Sequence, residues 1–96
     1  MSIISVLILT QENCGFCGAA KTMLERLSHD YPLAISTLSV ESATGQALAE
    51  KGGILFPPGI FFDGEPCCYG RPSEARLRRK IEQRLSQRGI LKGTTP

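Results

Sequence analysis

The sequence predicts an α/β domain in which a four-stranded mixed sheet is covered by three helices. Hydrophobic patterning gives the element order β-α-β-α-β-β-α, which is the first observation behind this prediction. The second is composition, because 96 residues at 42% hydrophobic and 21% charged are typical of one globular domain. The third is the content of ten glycines and six prolines, which indicates several turns. We interpret residues 1–96 as one domain, with residues 89–96 as a flexible tail.

The first strand is predicted over residues 3–9, where the side chains are apolar and mostly β-branched. Such a run is typical of a strand buried on both faces, as in a central parallel position. From Cys17 onward the apolar residues recur at a helical period, and Pro32 shows that this helix has ended. The apolar positions of the helix are Ala20, Met23, Leu24 and Leu27.

A second strand and a second helix follow. Residues 33–40 alternate in polarity and are rich in β-branched side chains, which predicts a strand. Ser42 can cap a short helix over residues 43–51, and Gly52 and Gly53 can stop it. Because a helix joins the first two strands, we expect them to be parallel and connected with a right-handed crossover.

The last two strands are predicted to form an antiparallel hairpin. Residues 60–62 are apolar, and the Asp63–Gly64 pair after them is a signal for a two-residue hairpin turn. Residues 66–69 then form the fourth strand. Pro66 predicts that this strand lies at an edge of the sheet, since proline cannot donate to a neighbouring strand.

A third helix is predicted after Ser73, which can cap it. Its core stripe lies at the spacing i, i+4, i+8 and consists of Leu77, Ile81 and Leu85. The charge of the chain changes sign near this helix. Residues 1–70 hold three basic and seven acidic side chains, a net −4, whereas residues 71–96 hold eight and two, a net +6.

The basic end of the chain has two interpretations. One is a solvated helix face. The other is a docking face for an acidic protein partner, formed by Arg76, Arg78, Arg79 and Arg84. A nucleic-acid partner is not expected, because Tyr69 is the one aromatic residue near the basic run.

The cysteines come as two close pairs, Cys14 with Cys17 and Cys67 with Cys68. The longest apolar stretch near the start has seven residues, is broken by Ser5 and has no basic residue before it. We therefore expect neither a signal peptide nor a membrane helix, and a cytoplasmic location. In a reducing compartment such pairs indicate redox chemistry or metal binding.

Cys14-Gly15-Phe16-Cys17 is the motif that carries chemistry. Two intervening residues at the start of a helix put both sulfurs on one face, where they can close a small disulfide ring. The free N–H groups and positive dipole end of the helix favour a thiolate on Cys14. Cys14 is thus the candidate nucleophile and Cys17 the resolving thiol, and Gly15 lets the turn form without steric conflict.

Other interpretations of this motif remain open. Two inert buried thiols could have the same spacing. Half of a four-ligand zinc site also has the Cys-x-x-Cys spacing. No second Cys-x-x-Cys or His-x-x-x-His completes a zinc site, so no metal is expected. Binding of a soft ion, or of a cluster shared between two chains, is a further alternative.

A proline-containing segment gives the motif its context. Phe56-Pro57-Pro58-Gly59 leads into Ile60-Phe61-Phe62-Asp63-Gly64. Together with Cys-x-x-Cys it resembles the thioredoxin-fold superfamily, most closely small glutaredoxin-like proteins. The resemblance extends over residues 3 to about 88. It implies a minimal thioredoxin fold, and at Pro58 a cis peptide bond after Pro57 with the proline packed against the cysteines.

The resemblance also implies an activity: reduction of disulfides in proteins or small molecules, as part of cell redox homeostasis. Residues expected to contact such substrates are Gln11, Gly15, Phe16, Pro57, Pro58, Gly70 and Ser73. No cofactor would be bound, and glutathione or a reductase would donate electrons. The competing hypothesis is a binding module that docks an acidic partner through the basic last helix, with structural or regulatory cysteines.

Several positions depart from the pattern of these families. Ile8 stands where thioredoxins carry a buried acid, and Gln11 stands where glutathione-using glutaredoxins carry a lysine. Phe56-Pro57 replaces their Thr-Val before the proline. For Cys67 and Cys68 we expect one core thiol and one surface thiol, since neighbouring residues on a strand point to opposite faces. A regulatory or intermolecular disulfide is the alternative there.

Overall fold

The computed structural model describes residues 3–87 and shows the predicted sheet with three helices. The elements are β1 (Ile4–Thr10), α1 (Gly15–Leu27), β2 (Leu33–Ser39), α2 (Ala43–Gly52), β3 (Gly59–Phe62), β4 (Glu65–Tyr69) and α3 (Glu74–Gln87). The order β-α-β-α-β-β-α is confirmed. The predicted tail at 89–96 lies outside the described residues.

The strand order across the sheet is β2-β1-β3-β4. β1 is central, parallel to β2 and antiparallel to β3, and β4 is an edge strand as Pro66 predicts. Ile4, Val6 and Ile8 are fully buried on one face of β1. On the other face only Leu9 is fully buried and Ser5 is exposed, so the prediction of burial on both faces is correct only at the end where β1 leads into α1.

The core fills the space between the sheet and helices α1 and α3. The predicted stripe of α3 is buried, and it meets the apolar face of α1 and the side chains of Ile60 and Phe62 from β3. The helical members are Ala20, Leu24, Leu27, Leu77, Ile81 and Leu85. Burying a leucine or isoleucine side chain contributes about 1.5–3 kcal/mol, so this cluster is the main support for α1 and its cysteines.

Helix α2 begins and ends where the glycines and serine predict. The hydroxyl of Ser42 accepts the N–H of Gly45 at 2.9 Å, and Gly53 takes the left-handed conformation at φ 68°. A Cβ at Gly45 would lie 2.0 Å from the carbonyl oxygen of Ser39. Glycine is therefore required at this close approach of helix and strand.

The β3–β4 hairpin contains an irregularity that the sequence did not reveal. Asp63 and Gly64 both have positive φ, 52° and 83°, as in the predicted two-residue turn. Ile60 pairs with Cys68 but the next residue, Phe61, pairs with Pro66, so a β-bulge leaves Cys67 as the extra residue.

The bulge corrects the prediction of one core and one surface cysteine. Cys67 and Cys68 are both half-buried, and both pack against the core cluster between the sheet and the helices. Strict alternation of side chains holds only in a regular strand, and an extra residue cancels it.

Helix α3 is attached to the hairpin by polar contacts. The Ser73 hydroxyl accepts the N–H of Arg76 at 3.3 Å, which is the predicted cap. Nη2 of Arg84 donates to the carbonyl of Phe62 at 2.7 Å and to the Glu65 carboxylate at 2.5 Å.

None of the helices in residues 3–87 has the length and apolarity to cross a membrane.

Candidate active site

The turn between β1 and α1 places Cys14 at the start of the helix. Asn13 takes the left-handed conformation at φ 60°, and Cys14 is extended and occupies the N-cap position. Asparagine tolerates that conformation better than most residues, which explains the reversal of the chain immediately before the first cysteine. The helix begins at Gly15, two residues earlier than the periodicity from Cys17 predicts.

Cys14 and Cys17 form a disulfide, and their Cα atoms are 5.3 Å apart. The backbone N–H of Cys17 donates to Sγ of Cys14 at 3.2 Å. Cys14 is half-buried at the surface, whereas Cys17 is only 6% exposed. The two cysteines thus differ in the way that the motif predicts: Cys14 is partly exposed and accepts a helix N–H, and Cys17 is buried next to it.

A cleft of about 640 Å³ opens beside this disulfide. It brings Gln11 and Gly15, both predicted to contact substrate, together with the two cysteines. The cleft is lined by Thr10, Gln11, Asn13, Cys14, Gly15, Cys17, Gly18, Lys21 and Thr37. The predicted Phe16 does not line it; its ring is 50% exposed on the adjoining surface.

Lys21 is a residue of the cleft that our sequence reasoning missed. The signal was present, because Lys21 follows Cys17 by four residues and Cys14 by seven, and therefore shares their face of the helix. Among the described residues that line this cleft, Lys21 is the one with a cationic side chain. A cation there favours a thiolate or an acidic substrate.

Pro57 and Pro58 lie at the same end of the sheet. Gly59 is paired with Leu9, so the loop before β3 emerges beside the turn that carries Cys14. The peptide bond between Pro57 and Pro58 is cis, the isomer that the resemblance implies. Packing of Pro58 against the cysteines stays a prediction.

Gly70 and Ser73 have structural partners. The N–H of Gly70 donates to the carbonyl of Pro58 at 2.8 Å, so the end of β4 fixes the proline loop. A Cβ at Gly70 would meet the Phe56 ring at 2.7 Å, and φ there is 83°. Ser73 caps α3. For both residues, contact with substrate stays a prediction.

Phe56, in the loop that leads through Pro57 and Pro58 into β3, forms an aromatic pair with Tyr69 of β4. The rings of Phe56 and Tyr69 meet edge to face with centroids 5.2 Å apart, and Phe56 is still 54% exposed. Leu55 beside it is exposed as well. Exposed apolar side chains that are grouped on a surface are typical of a region that binds another molecule.

Acid–base groups behind the disulfide are limited. Among the described residues no polar or charged side chain is buried, and Ile8 is fully buried in the core. No group of three or more His, Cys, Asp or Glu side chains in residues 3–87 could hold a metal ion.

The fold and the site together define the class: this chain is a thioredoxin-fold protein. No protein-family model matches the sequence. A thioredoxin from Methanocaldococcus jannaschii is 27% identical over 85 residues, which cover 88% of this chain and all of that protein.

Solved structures give the same result. A mutant thioredoxin from Halobacterium salinarum superposes with a TM-score of 0.64 at 26% identity, covering 83% of this chain and 73% of that one. Thioredoxin 1 from Thermosipho africanus superposes with a TM-score of 0.63 at 12% identity, over 88% and 98% of the two chains, and shows the fold alone. The similarity to thioredoxins and the Cys14–Cys17 disulfide support thiol–disulfide oxidoreductase chemistry.

Proposed function

We propose that this protein reduces disulfides in other proteins through Cys14 and Cys17. The observation that carries the proposal is the asymmetry of the pair. Cys14 is partly exposed at the helix N-terminus and its Sγ accepts the N–H of Cys17, while Cys17 is almost completely buried beside it. Such an arrangement separates an attacking thiolate from a resolving thiol.

In the first step, the Cys14 thiolate attacks one sulfur of a substrate disulfide. A mixed disulfide forms between Cys14 and that sulfur, and the second substrate sulfur leaves as a thiolate and takes a proton. The Cys17 N–H and the helix dipole favour the thiolate form of Cys14 before attack. Lys21, on the same helix face, adds positive charge to the cleft.

In the second step, Cys17 loses its proton and attacks Sγ of Cys14. The Cys14–Cys17 disulfide forms and the substrate is released with both of its sulfurs reduced. Because no buried acid of the described residues stands behind Cys17, the proton leaves to water through the cleft. Pre-existing closeness of the two cysteines makes this step intramolecular and fast.

Substrate is expected to lie across the cleft and the proline loop. Phe16 and Phe56 offer exposed rings to apolar residues that flank a disulfide. Pro57 has no N–H, so of its backbone only the carbonyl can pair with an extended peptide. The interpretation of Pro57, Pro58 and Gln11 as substrate-contacting residues belongs to this proposal.

Electrons would be returned by glutathione or by a reductase enzyme. The relatives are named thioredoxins, and Gln11 lacks the charge of the glutaredoxin lysine. Both features favour a reductase over glutathione. Turnover of a protein disulfide with each donor in turn would distinguish them.

Two cysteine variants test the proposal. Cys14→Ser removes the nucleophile, and reduction of a protein disulfide driven by dithiothreitol should fall to the uncatalysed rate. Cys17→Ser removes the resolving thiol, and mixed disulfides with Cys14 should accumulate and be recovered by mass spectrometry. Ala19→Ser, an exposed change in the same helix, is the control and should retain full turnover. Undiminished turnover by Cys14→Ser would refute the proposal.

The docking-module hypothesis receives less support from the charges. Of its four arginines, Arg78 pairs with Asp30 and Glu74, and Arg84 pairs with Glu65 and Asp63. Half of the supposed docking charge is therefore engaged within the chain. An acidic protein partner remains a prediction, and full activity without Cys14 would favour it.

A further inference from the structure

A second cavity, of about 810 Å³, lies between the edge strand β4 and helix α3. Cys67 and Cys68 both line it, and neither is bonded to another cysteine. The other residues of its wall are Gly52, Ile54, Pro66, Tyr69, Arg76, Arg79, Lys80 and Gln83. None of them lines the cleft at Cys14 and Cys17.

The β-bulge creates this arrangement. Cys68 pairs with Ile60, and the extra residue Cys67 is free of the regular alternation, so both thiols reach the side of the sheet that α3 covers. Bulges commonly redirect a side chain at the edge of a sheet. Here the result is a pair of neighbouring thiols in one half-buried position.

Positive charge surrounds the two thiols. Arg76, Arg79 and Lys80 extend from α3 into the wall of the cavity. Within residues 3–87 none of these three side chains forms an ion pair with a carboxylate. Arg78 and Arg84 of the same helix are both paired. The unpaired cations of α3 therefore face the cysteines, and their charge is available to a ligand.

These surroundings also shift the pKa values of the two thiols in opposite directions. A hydrogen bond from the Cys67 thiol, and the charges of Arg76 and Lys80, lower the pKa of Cys68 to about 7 despite partial burial. The same hydrogen bond and burial raise the pKa of Cys67 above its ordinary value. At neutral pH Cys68 is thus partly thiolate and Cys67 remains a thiol that donates to it.

We propose that Cys68 is a second thiol–disulfide exchange site, which takes small disulfides that carry carboxylates and is distinct from the Cys14–Cys17 pair. The Cys68 thiolate attacks one sulfur of the small disulfide. A bond forms between Cys68 and that sulfur, the disulfide bond of the small molecule breaks, and its other half leaves as a thiolate. The oxidant is the small disulfide itself, so no further electron acceptor is required.

The dimensions and charges of the cavity select this class of ligand. A volume of about 810 Å³ holds a molecule of peptide or drug size rather than a folded protein segment. Arg76, Arg79 and Lys80 can pair with the carboxylates of such a molecule while its sulfur reaches Cys68. A protein modified at Cys68 would carry the adduct on β4 and would keep Cys14 and Cys17 available for exchange.

The test uses full-length protein whose Cys14–Cys17 pair is held as the disulfide, so that only Cys67 and Cys68 can react. Three disulfides are compared: glutathione disulfide, which is anionic; bis(2-hydroxyethyl) disulfide, which is neutral; and cystamine, which is cationic. Adducts are located by peptide mass spectrometry, and each rate is divided by the rate for an unstructured cysteine peptide. We expect an adduct on Cys68, with glutathione disulfide favoured over cystamine roughly ten-fold at low salt.

Charge variants make the test specific. Arg76→Gln with Lys80→Gln should abolish the preference for the anionic disulfide. Lys21→Gln, with its charge change at the first cleft, should preserve it. Addition to Cys67 instead of Cys68, equal normalised rates for the three disulfides, or an unchanged preference in the double variant would each overturn the proposal. If the preparation contains molecules in which Cys14 and Cys17 are still reduced, a Cys14→Ser/Cys17→Ser protein gives the same measurement. Neither form of the protein depends on the proposed reductase activity.

Discussion

The two cysteine pairs of this chain differ in the element that carries them. Cys14 and Cys17 lie one helical turn apart at the start of α1 and are bonded to each other. Cys67 and Cys68 are adjacent on the edge strand β4 and are free. The comparison shows that spacing and backbone, rather than the thiols themselves, decide whether two cysteines form a closed dithiol couple or an open pair.

The groups that stabilise the thiolate also differ between the two pairs. Sγ of Cys14 accepts the backbone N–H of Cys17, a donor that only a proline at that position would remove. Cys68 depends on side chains: a hydrogen bond from Cys67 and the charges of Arg76 and Lys80. The first pair is therefore expected to tolerate changes in surface charge, and the second to respond to them.

The largest expected effect concerns the support of the first pair. Leu24 is fully buried in the cluster that holds α1 against the sheet, so Leu24→Ala should lower the free energy of unfolding by about 2–5 kcal/mol. Urea unfolding followed by circular dichroism measures it. Ala19→Ser, exposed on the same helix, is the control and should change it by less than about 0.5 kcal/mol. A loss of similar size in both variants would show that α1 is not anchored through Leu24.

The fold and the first pair could be predicted from the sequence because their signals are local. The place of β1 in the chain, the apolar period of α3, the Ser42 and Ser73 caps and the Asp63–Gly64 turn each correspond to the observed structure. Cys-x-x-Cys at a strand-to-helix junction likewise specifies its own geometry, since both cysteines belong to one helical turn.

The second pair could not be predicted, because its geometry depends on pairing between strands. A β-bulge is a mismatch of register between β3 and β4, and nothing in the order of Pro66, Cys67 and Cys68 states which residue is the extra one. Alternation was therefore the reasonable expectation, and it was wrong. Lys21 is a different case, since its helical spacing from Cys17 can be read directly from the sequence.

A pH profile tests the dependence of Cys68 on Cys67. The lowered pKa of Cys68, about 7, means that its thiol is protonated below pH 7 and becomes thiolate as the pH rises through 7. Cys67→Ala removes the hydrogen-bond donor and should move the midpoint of Cys68 alkylation to higher pH. A midpoint that lies higher by about one pH unit lowers the thiolate fraction at acidic pH about ten-fold. The rate is measured with iodoacetamide and peptide mapping.

Cys67→Ser is the matched control, because a hydroxyl can still donate to the thiolate. Its midpoint should stay nearer that of the unaltered protein than the midpoint of Cys67→Ala does. Identical profiles for the alanine and serine variants would mean that the hydrogen bond does not set the acidity of Cys68.

A smaller effect is expected at the contacts that hold β4 in place. Arg84 is only 19% exposed and bonds the Phe62 carbonyl and the Glu65 carboxylate, so Arg84→Gln should cost about 1–2 kcal/mol of stability. Arg26, 60% exposed and paired with the exposed Glu74 carboxylate, is the control. Arg26→Gln should cost less than about 1 kcal/mol. Equal losses in urea unfolding would remove Arg84 as the specific attachment of the second pair.

The smallest effect concerns Lys21, the one described cation of the first cleft. If backbone donors dominate there, Lys21→Gln should change little for a neutral reagent and somewhat more for an anion. We expect the ratio of Cys14 alkylation by iodoacetate to that by iodoacetamide, in reduced protein, to fall about three-fold at low salt. Lys51→Gln, with the same charge change at the end of α2, should leave the ratio unaltered. A fall much larger than three-fold would contradict the contrast between the pairs, because the first thiolate would then depend on a side-chain charge as the second does.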